Sequence, residues 1–222
     1  MAVNSDLYKE ISSSLQQENV TLVAVSKTKT VEDILELYEL GQRDFGENYV
    51  QELVGKYEQL PKDIRWHFIG HLQTNKVKQI VGFFHLIHGV DSLKLLKEIN
   101  KQSEKIGKIT SCLLQIHIAQ EETKFGLDEN ELNLIISEFE NLKMKNVNIV
   151  GLMGMASNTN DMQQVRNEFH YLKSLFDKCN KLAILNSQLS ILSMGMTADY
   201  KIAIEEGSNM IRVGSLIFGS RN

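Results

Sequence analysis

From Thr21 onward the chain alternates short apolar runs of strand character with longer stretches in which apolar residues recur at helical spacing. That alternation is the mark of βα units, which assemble into parallel sheets covered by helices. The runs lie at 21–26 (TLVAVS), 44–47 (DFGE), 66–69 (WHFI), 85–90 (HLIHGV), 111–118 (SCLLQIHI), 148–153 (NIVGLM), 190–193 (SILS) and 210–213 (MIRV). Between them lie stretches such as 31–40, with Ile34, Leu35 and Tyr38 on one face, and 92–106, with Leu95, Leu96 and Ile99. Eight such units predict a compact (β/α)8 barrel of the TIM type. An extra helix over about 6–17 precedes the first strand. A doubly wound open sheet is the alternative, because periodicity alone does not establish closure.

Composition narrows the class further. Of 222 residues 42% are hydrophobic, enough for a sizeable core, and the single proline, Pro61, with no Gly/Ser-rich tract leaves nothing that reads as a linker. One domain over 1–222 is expected. Lys plus Arg number 24 against 28 Asp plus Glu, a formal charge of −4, so nucleic acid is not an expected partner. Cys112 and Cys179 stand far apart without metal-ligand spacing, which fits a reducing cytoplasm. No apolar run has the length of a membrane span or a signal peptide.

In a barrel the residues at the carboxyl ends of strands carry the chemistry. Lys27 directly follows VAVS and, by period-two alternation, shares a face with Val23 and Val25, so its amine can point inward. An ordinary exposed loop lysine is the bland reading; a desolvated amine able to condense with an aldehyde is the sharp one. Arg212 interrupts MIRV on the face opposite Ile211 and Val213, and Gly214 and Ser215 follow it at a place where barrels often hold phosphate. Ser193 ends the seventh run and could add a hydroxyl to the same cup. Asn48 follows the second run as a helix cap able to touch a ligand, and Met153 most simply packs the sixth. His67, His71, His85 and His88 read as hydrogen-bonded strand and loop histidines, since no HExxH or carboxylate companion accompanies them. Thr30, Ser92, Asp128 and Thr197 are candidate helix N-caps.

AVSKTK at 24–29, FGENYVQE at 45–52, WHFIGHLQTNK at 66–76, GLMGM at 151–155, LSMGM at 192–196 and IRVGSLIFG at 211–219 together resemble the pyridoxal phosphate homeostasis proteins, single-domain relatives of the alanine racemase barrel. The resemblance spans nearly the whole chain in order. It implies pyridoxal 5′-phosphate as cofactor, held as an aldimine on Lys27, with Arg212 facing the pyridine nitrogen, Ser193, Gly214 and Ser215 holding the phosphate, and Asn48 and Met153 lining the pocket. Thr30, Thr197 and Asn209 depart from the residues expected at those places, namely proline, serine and threonine.

The resemblance implies a protein that holds and delivers the cofactor in vitamin B6 and amino-acid balance, with little turnover of its own. Pyridoxal phosphate-dependent apoenzymes are its possible recipients, and a monomer is the expected state. The alternative is a low-activity amino-acid racemase. Racemisation needs an acid-base group on each face of the substrate, and with eight residues after Gly214 the second domain that supplies one in the racemases is not expected here. A cofactor-free Schiff-base aldolase would also use Lys27 but leaves Arg212 and the phosphate cup unexplained. An arginine beside the pyridine nitrogen keeps its own proton and makes the ring a weak electron sink.

Overall fold

A computed structural model describes residues 3–181 and 188–219. Eight parallel strands, β1 (Thr21–Val25), β2 (Asp44–Glu47), β3 (Arg65–Phe68), β4 (Leu86–Val90), β5 (Thr110–Ile116), β6 (Val147–Gly154), β7 (Ile191–Ser193) and β8 (Met210–Val213), follow one another around a closed barrel. Closure is made by β1 against β8, with Val23 opposite Arg212 and Ala24 opposite Val213, which excludes the open sheet. Every strand lies within two residues of its sequence-predicted place. The connecting helices are α2 (Val31–Glu39), α3 (Val50–Gln59), α4 (Leu93–Lys105), α5 (Glu129–Asn141), α6 (Met162–Lys181) and α7 (Tyr200–Glu205). Before and after them come α1 (Ser5–Gln17) and the one-turn α8 (Ser215–Phe218). No helix among the described residues is long and apolar enough to cross a membrane.

Period-two alternation sorts the side chains into two cores. One face of each strand packs against the helices: Leu22 and Ala24 from β1, Trp66 and Phe68 from β3, and Ile211 and Val213 from β8 belong to this outer layer. The opposite face points into the barrel, where Val23, Leu86, Leu113, Met153 and Met210 form a smaller apolar cluster. At about 25 cal/mol per Å2 of apolar surface removed from water, the outer layer dominates the stabilisation. The inner layer decides what the barrel can hold.

Local chemistry explains most element starts. Thr30 opens α2 with a reciprocal capping box to Asp33, Ser92 caps α4 through Leu95 N–H, and Asp128 receives Glu131 N–H while Glu131 reaches back to Asp128 N–H. Thr197 is not a helix cap: α7 begins after Asp199, whose carboxylate accepts Met196 N–H at 2.6 Å. Between β3 and β4 the connection is a 3-10 segment, Thr74–Gln79, rather than a full α-helix. Cys112 and Cys179 are both free and buried.

Gly151 of β6 lies opposite Ile191 of β7, and a Cβ there would stand 1.8 Å from the Ile191 carbonyl oxygen. Strand β7 has only three residues, so it cannot step aside without losing its pairing. Gly151→Ala is therefore expected to destabilise the barrel by about 3 kcal/mol, the upper end of overpacking costs. Chemical denaturation with a wild-type midpoint would show the contact to be relieved elsewhere.

Candidate functional site

Val23 lies inside the barrel, and Val25 and Lys27 continue the same face upward to the carboxyl-end mouth. The backbone on both sides of Lys27 is held from below. The Ser26 carbonyl accepts from Lys56 Nζ at 2.8 Å, and Ser26 Oγ donates to Glu47 Oε1 at 2.6 Å. Thr28 N–H donates to Glu52 Oε1 at 2.6 Å. Lys56, on α3, also bonds Glu47 at 2.7 Å and Glu52 at 2.6 Å, so one buried ammonium joins both carboxylates. Thr28 has φ 66°, a left-handed conformation uncommon for a non-glycine residue. The Lys56 cluster holds that turn, which aims Lys27 at the mouth. Burial raises the Glu47 carboxyl above its ordinary range, with Lys56 opposing the rise.

Arg212 projects inward from β8 and is buried. Its Nη1 donates to Ser193 Oγ at 2.6 Å and its Nη2 to the Gly154 carbonyl at 2.9 Å, tying β8 to β7 and β6. Burial lowers its guanidinium to about 10, and the charge of Asp199 acts in the opposite direction. Arg212 is thus still a cation at neutral pH.

Lys27, Asn48, Arg212, Gly214 and Ser215 line a single cleft of about 310 Å3 at the barrel mouth. Ser193 and Met153 are placed differently from the sequence expectation. Ser193 is fully buried beneath the cleft, its hydroxyl engaged by Arg212 and by His88 at 3.1 Å. Met153 packs in the inner apolar cluster because it shares the inward face of β6 below the mouth. Two residues further on, Met155 reaches the cleft instead, joined by Met196.

Sequence reasoning also passed over Thr197 as a ligand residue. Its hydroxyl lies 3.1 Å from that of Ser215, and both line the cleft, which pairs two hydroxyls beside the start of α8. The available signal was its place immediately after SMGM at the end of β7. Lys29 Nζ donates to the Phe218 carbonyl at 2.9 Å, latching the β1 loop to α8 along one side of the cleft. Asn48 Oδ1 is buried with no hydrogen-bond partner among the described residues. Its backbone is approached so closely by Gly70 that a Cβ there would meet the Asn48 carbonyl oxygen at 2.6 Å. The glycine of WHFIGHLQTNK thereby seats Asn48 at the mouth.

These residues fit a flat aromatic aldehyde carrying a phosphate. An inward amine, a cation, a hydroxyl pair, thioether walls and an orphaned acceptor surround one space. An unpaired buried acceptor is costly unless a ligand supplies the donor.

The alanine racemase N-terminal domain family matches residues 6–222. A protein of Pasteurella multocida named pyridoxal phosphate homeostasis protein is 40% identical over 206 residues, covering 91% of this chain and 87% of its own. The Homo sapiens protein of the same name is 42% identical over 212 residues, covering 90% and 76%. Among solved structures, PipY of Synechococcus elongatus with pyridoxal phosphate bound superposes with a TM-score of 0.84 at 33% identity, covering 96% of this chain and all of PipY. Alanine racemase of Clostridium difficile shares the fold alone, with a TM-score of 0.77 at 14% identity.

Proposed function

Because this chain belongs to the pyridoxal phosphate homeostasis family, we propose that it binds pyridoxal 5′-phosphate in the cleft at the barrel mouth, with Lys27 as the point of covalent attachment, and serves vitamin B6 and amino-acid balance. The observation that carries this reading is the meeting of Lys27, Asn48, Arg212, Gly214 and Ser215 around one cleft. When bound, the group supplies an aldehyde that captures amines and a ring that withdraws electrons from them.

The chain's own residues have separable tasks. Lys27 provides the amine. Thr197 and Ser215 provide hydroxyl donors for the phosphate, beside backbone N–H groups at the opening of α8 that have no carbonyl one turn back. Gly214 allows close approach, since a Cβ there would crowd Val25 at 3.1 Å. Arg212 would face the ring nitrogen and, as a cation at neutral pH, would donate a hydrogen bond to it while keeping its own proton. Met155 and Met196 exclude water from the ring with adaptable apolar surface.

Low turnover is part of the proposal. Among the described residues lining the cleft, the titratable groups are Lys27, Lys29 and Arg212, and Lys29 is committed to the Phe218 carbonyl. A racemase would need a second proton-moving group opposite Lys27, and steady-state assays with L- and D-amino acids test for it. In cells lacking the protein, B6 vitamer and free amino-acid pools should shift and be restored by wild type but not by Lys27→Ala; equal restoration by both would refute the covalent reading.

Thr197→Ala with Ser215→Ala should weaken cofactor retention by about 100-fold or more, since each hydrogen bond to a charged group contributes roughly 1.5–3 kcal/mol. Ser193→Ala should weaken it less, because Ser193 acts through Arg212. Equilibrium dialysis showing unchanged affinity in the double variant would remove the hydroxyl pair from the phosphate site.

A further inference from the structure

Barrel interiors are ordinarily filled by branched aliphatic side chains. In this one a column of polar groups crosses the interior from floor to mouth. At the floor, Arg65 Nε donates to Asp44 Oδ1 at 2.8 Å and Arg65 Nη2 to Asp44 Oδ2. Asp44 Oδ1 lies 2.9 Å from His67 Nε2, His67 Nδ1 lies 3.0 Å from His88 Nε2, and His88 Nδ1 lies 3.1 Å from Ser193 Oγ. Ser193 Oγ then accepts from Arg212 Nη1. Five strands contribute, β3 supplying both Arg65 and His67, and His67, His88 and Ser193 are fully buried.

With both rings neutral, the carboxylate end fixes the sense of every bond that follows. A carboxylate only accepts, so His67 carries its proton on Nε2. In a neutral ring Nδ1 then accepts, so His88 carries its proton on Nε2 as well. His88 Nδ1 in turn accepts the hydroxyl proton of Ser193, which turns the Ser193 lone pairs toward Arg212. Each inner member donates once and accepts once. With His88 protonated on Nε2, a proton on His67 Nδ1 would bring two N–H groups face to face at 3.0 Å.

We infer that Asp44, on the barrel floor, is a positioning residue for Arg212: its acceptor oxygen orders His67, His88 and Ser193 so that the Ser193 hydroxyl stands ready to receive the guanidinium lining the cleft. The charges facing this column are Asp44, Arg65, His85, Arg212 and Asp199, with the His85 ring 5.4 Å from that of His67. They agree with the assigned sense. Burial would raise the Asp44 carboxyl, but hydrogen bonds from Arg65 and His67 outweigh it and hold it at about 2. Burial above all keeps His88 well below its ordinary value and therefore neutral, and the Arg212 charge acts in the same direction. Asp44, His67 and His85 also approach one another closely enough to hold a metal ion. However, Arg65 occupies both Asp44 oxygens, and a metal on His67 Nε2 would displace the proton that orders the column.

The effect on the cofactor rests on the proposed function; the column itself does not. Histidine 15N resonances of the cofactor-free protein between pH 6 and 8 should show Nε2 protonated and Nδ1 bare in both His67 and His88. A proton on Nδ1 of either ring would overturn the inference. Asp44→Asn keeps an acceptor oxygen and should retain both tautomers, whereas Asp44→Ala should mix them and shift the Arg212 guanidinium resonances. If Asp44→Ala does not fold, Ser193→Ala interrupts the column next to Arg212 and should move the same resonances. Unmoved guanidinium signals, or a holoprotein absorbance identical to wild type, would overturn the coupling. Ordered tautomers in a protein that takes up no pyridoxal phosphate would instead sink the proposed function and leave the column standing.

Discussion

Lys27→Ala is expected to abolish covalent cofactor retention completely while leaving the barrel folded. The two halves separate because of where Lys27 lies. The contribution of β1 to stability comes from Leu22, Val23 and Ala24, all buried, whereas Lys27 follows the strand and is only half-buried at the mouth. The hydroxyl pair and Arg212 remain, so the variant should still bind the phosphate form reversibly. Far-ultraviolet circular dichroism tests the fold, and the fraction of cofactor surviving denaturation after borohydride reduction tests the attachment. A variant that retained a reducible adduct would assign the chemistry to another lysine.

Lys56→Met should be the most damaging single change to stability, by about 3–5 kcal/mol, the cost of leaving a buried charge without its partner. The stranded group is Glu47, whose carboxylate is fully buried and bonded by Lys56 at 2.7 Å. The pH dependence follows from the direction of its shift. Burial raises the folded-state value of Glu47, so the folded protein binds the proton more tightly than the unfolded chain and ionisation opposes folding as pH rises past the ordinary carboxylate range of about 4.3. Removing Lys56 strengthens that opposition. The deficit of Lys56→Met should therefore be small near pH 4 and grow toward neutrality, as urea denaturation at several pH values would show. A constant deficit would mean that lost packing of the Lys56 stem, rather than the buried charge, is the cause. The same variant releases Ser26 from below, so covalent capture at Lys27 should slow.

The barrel was legible because its information is local and repeated. Alternation in TLVAVS and MIRV separates inner from outer faces, and the structure places Val23 and Arg212 inside, with Ala24 and Val213 outside. Lys27 and Ser215 were legible for the same reason, since each follows directly on a strand whose face was readable. Ser193 and Met153 were misplaced because alternation gives a side and not a depth. Both point inward near the ends of their strands, and the segments that follow β7 and β6 bring Thr197 and Met155 to the cleft. The Lys56 cluster and the histidine column were invisible for a different reason. Each joins residues from separate elements, such as His88 and Ser193, which are 105 positions apart, and their pairing exists only once the barrel has closed. WHFIGHLQTNK was recognisable as a motif before its parts had tasks: His67 stands in the column and Gly70 admits the Asn48 backbone.

Reduction of the purified, cofactor-loaded protein with borohydride, followed by peptide mass spectrometry, addresses the attachment most directly. The account predicts that the visible absorption band disappears on reduction and that the added mass is found on the peptide containing Lys27. A stable adduct on Lys29 or any other lysine, or a loaded protein with no reducible adduct at all, would contradict it.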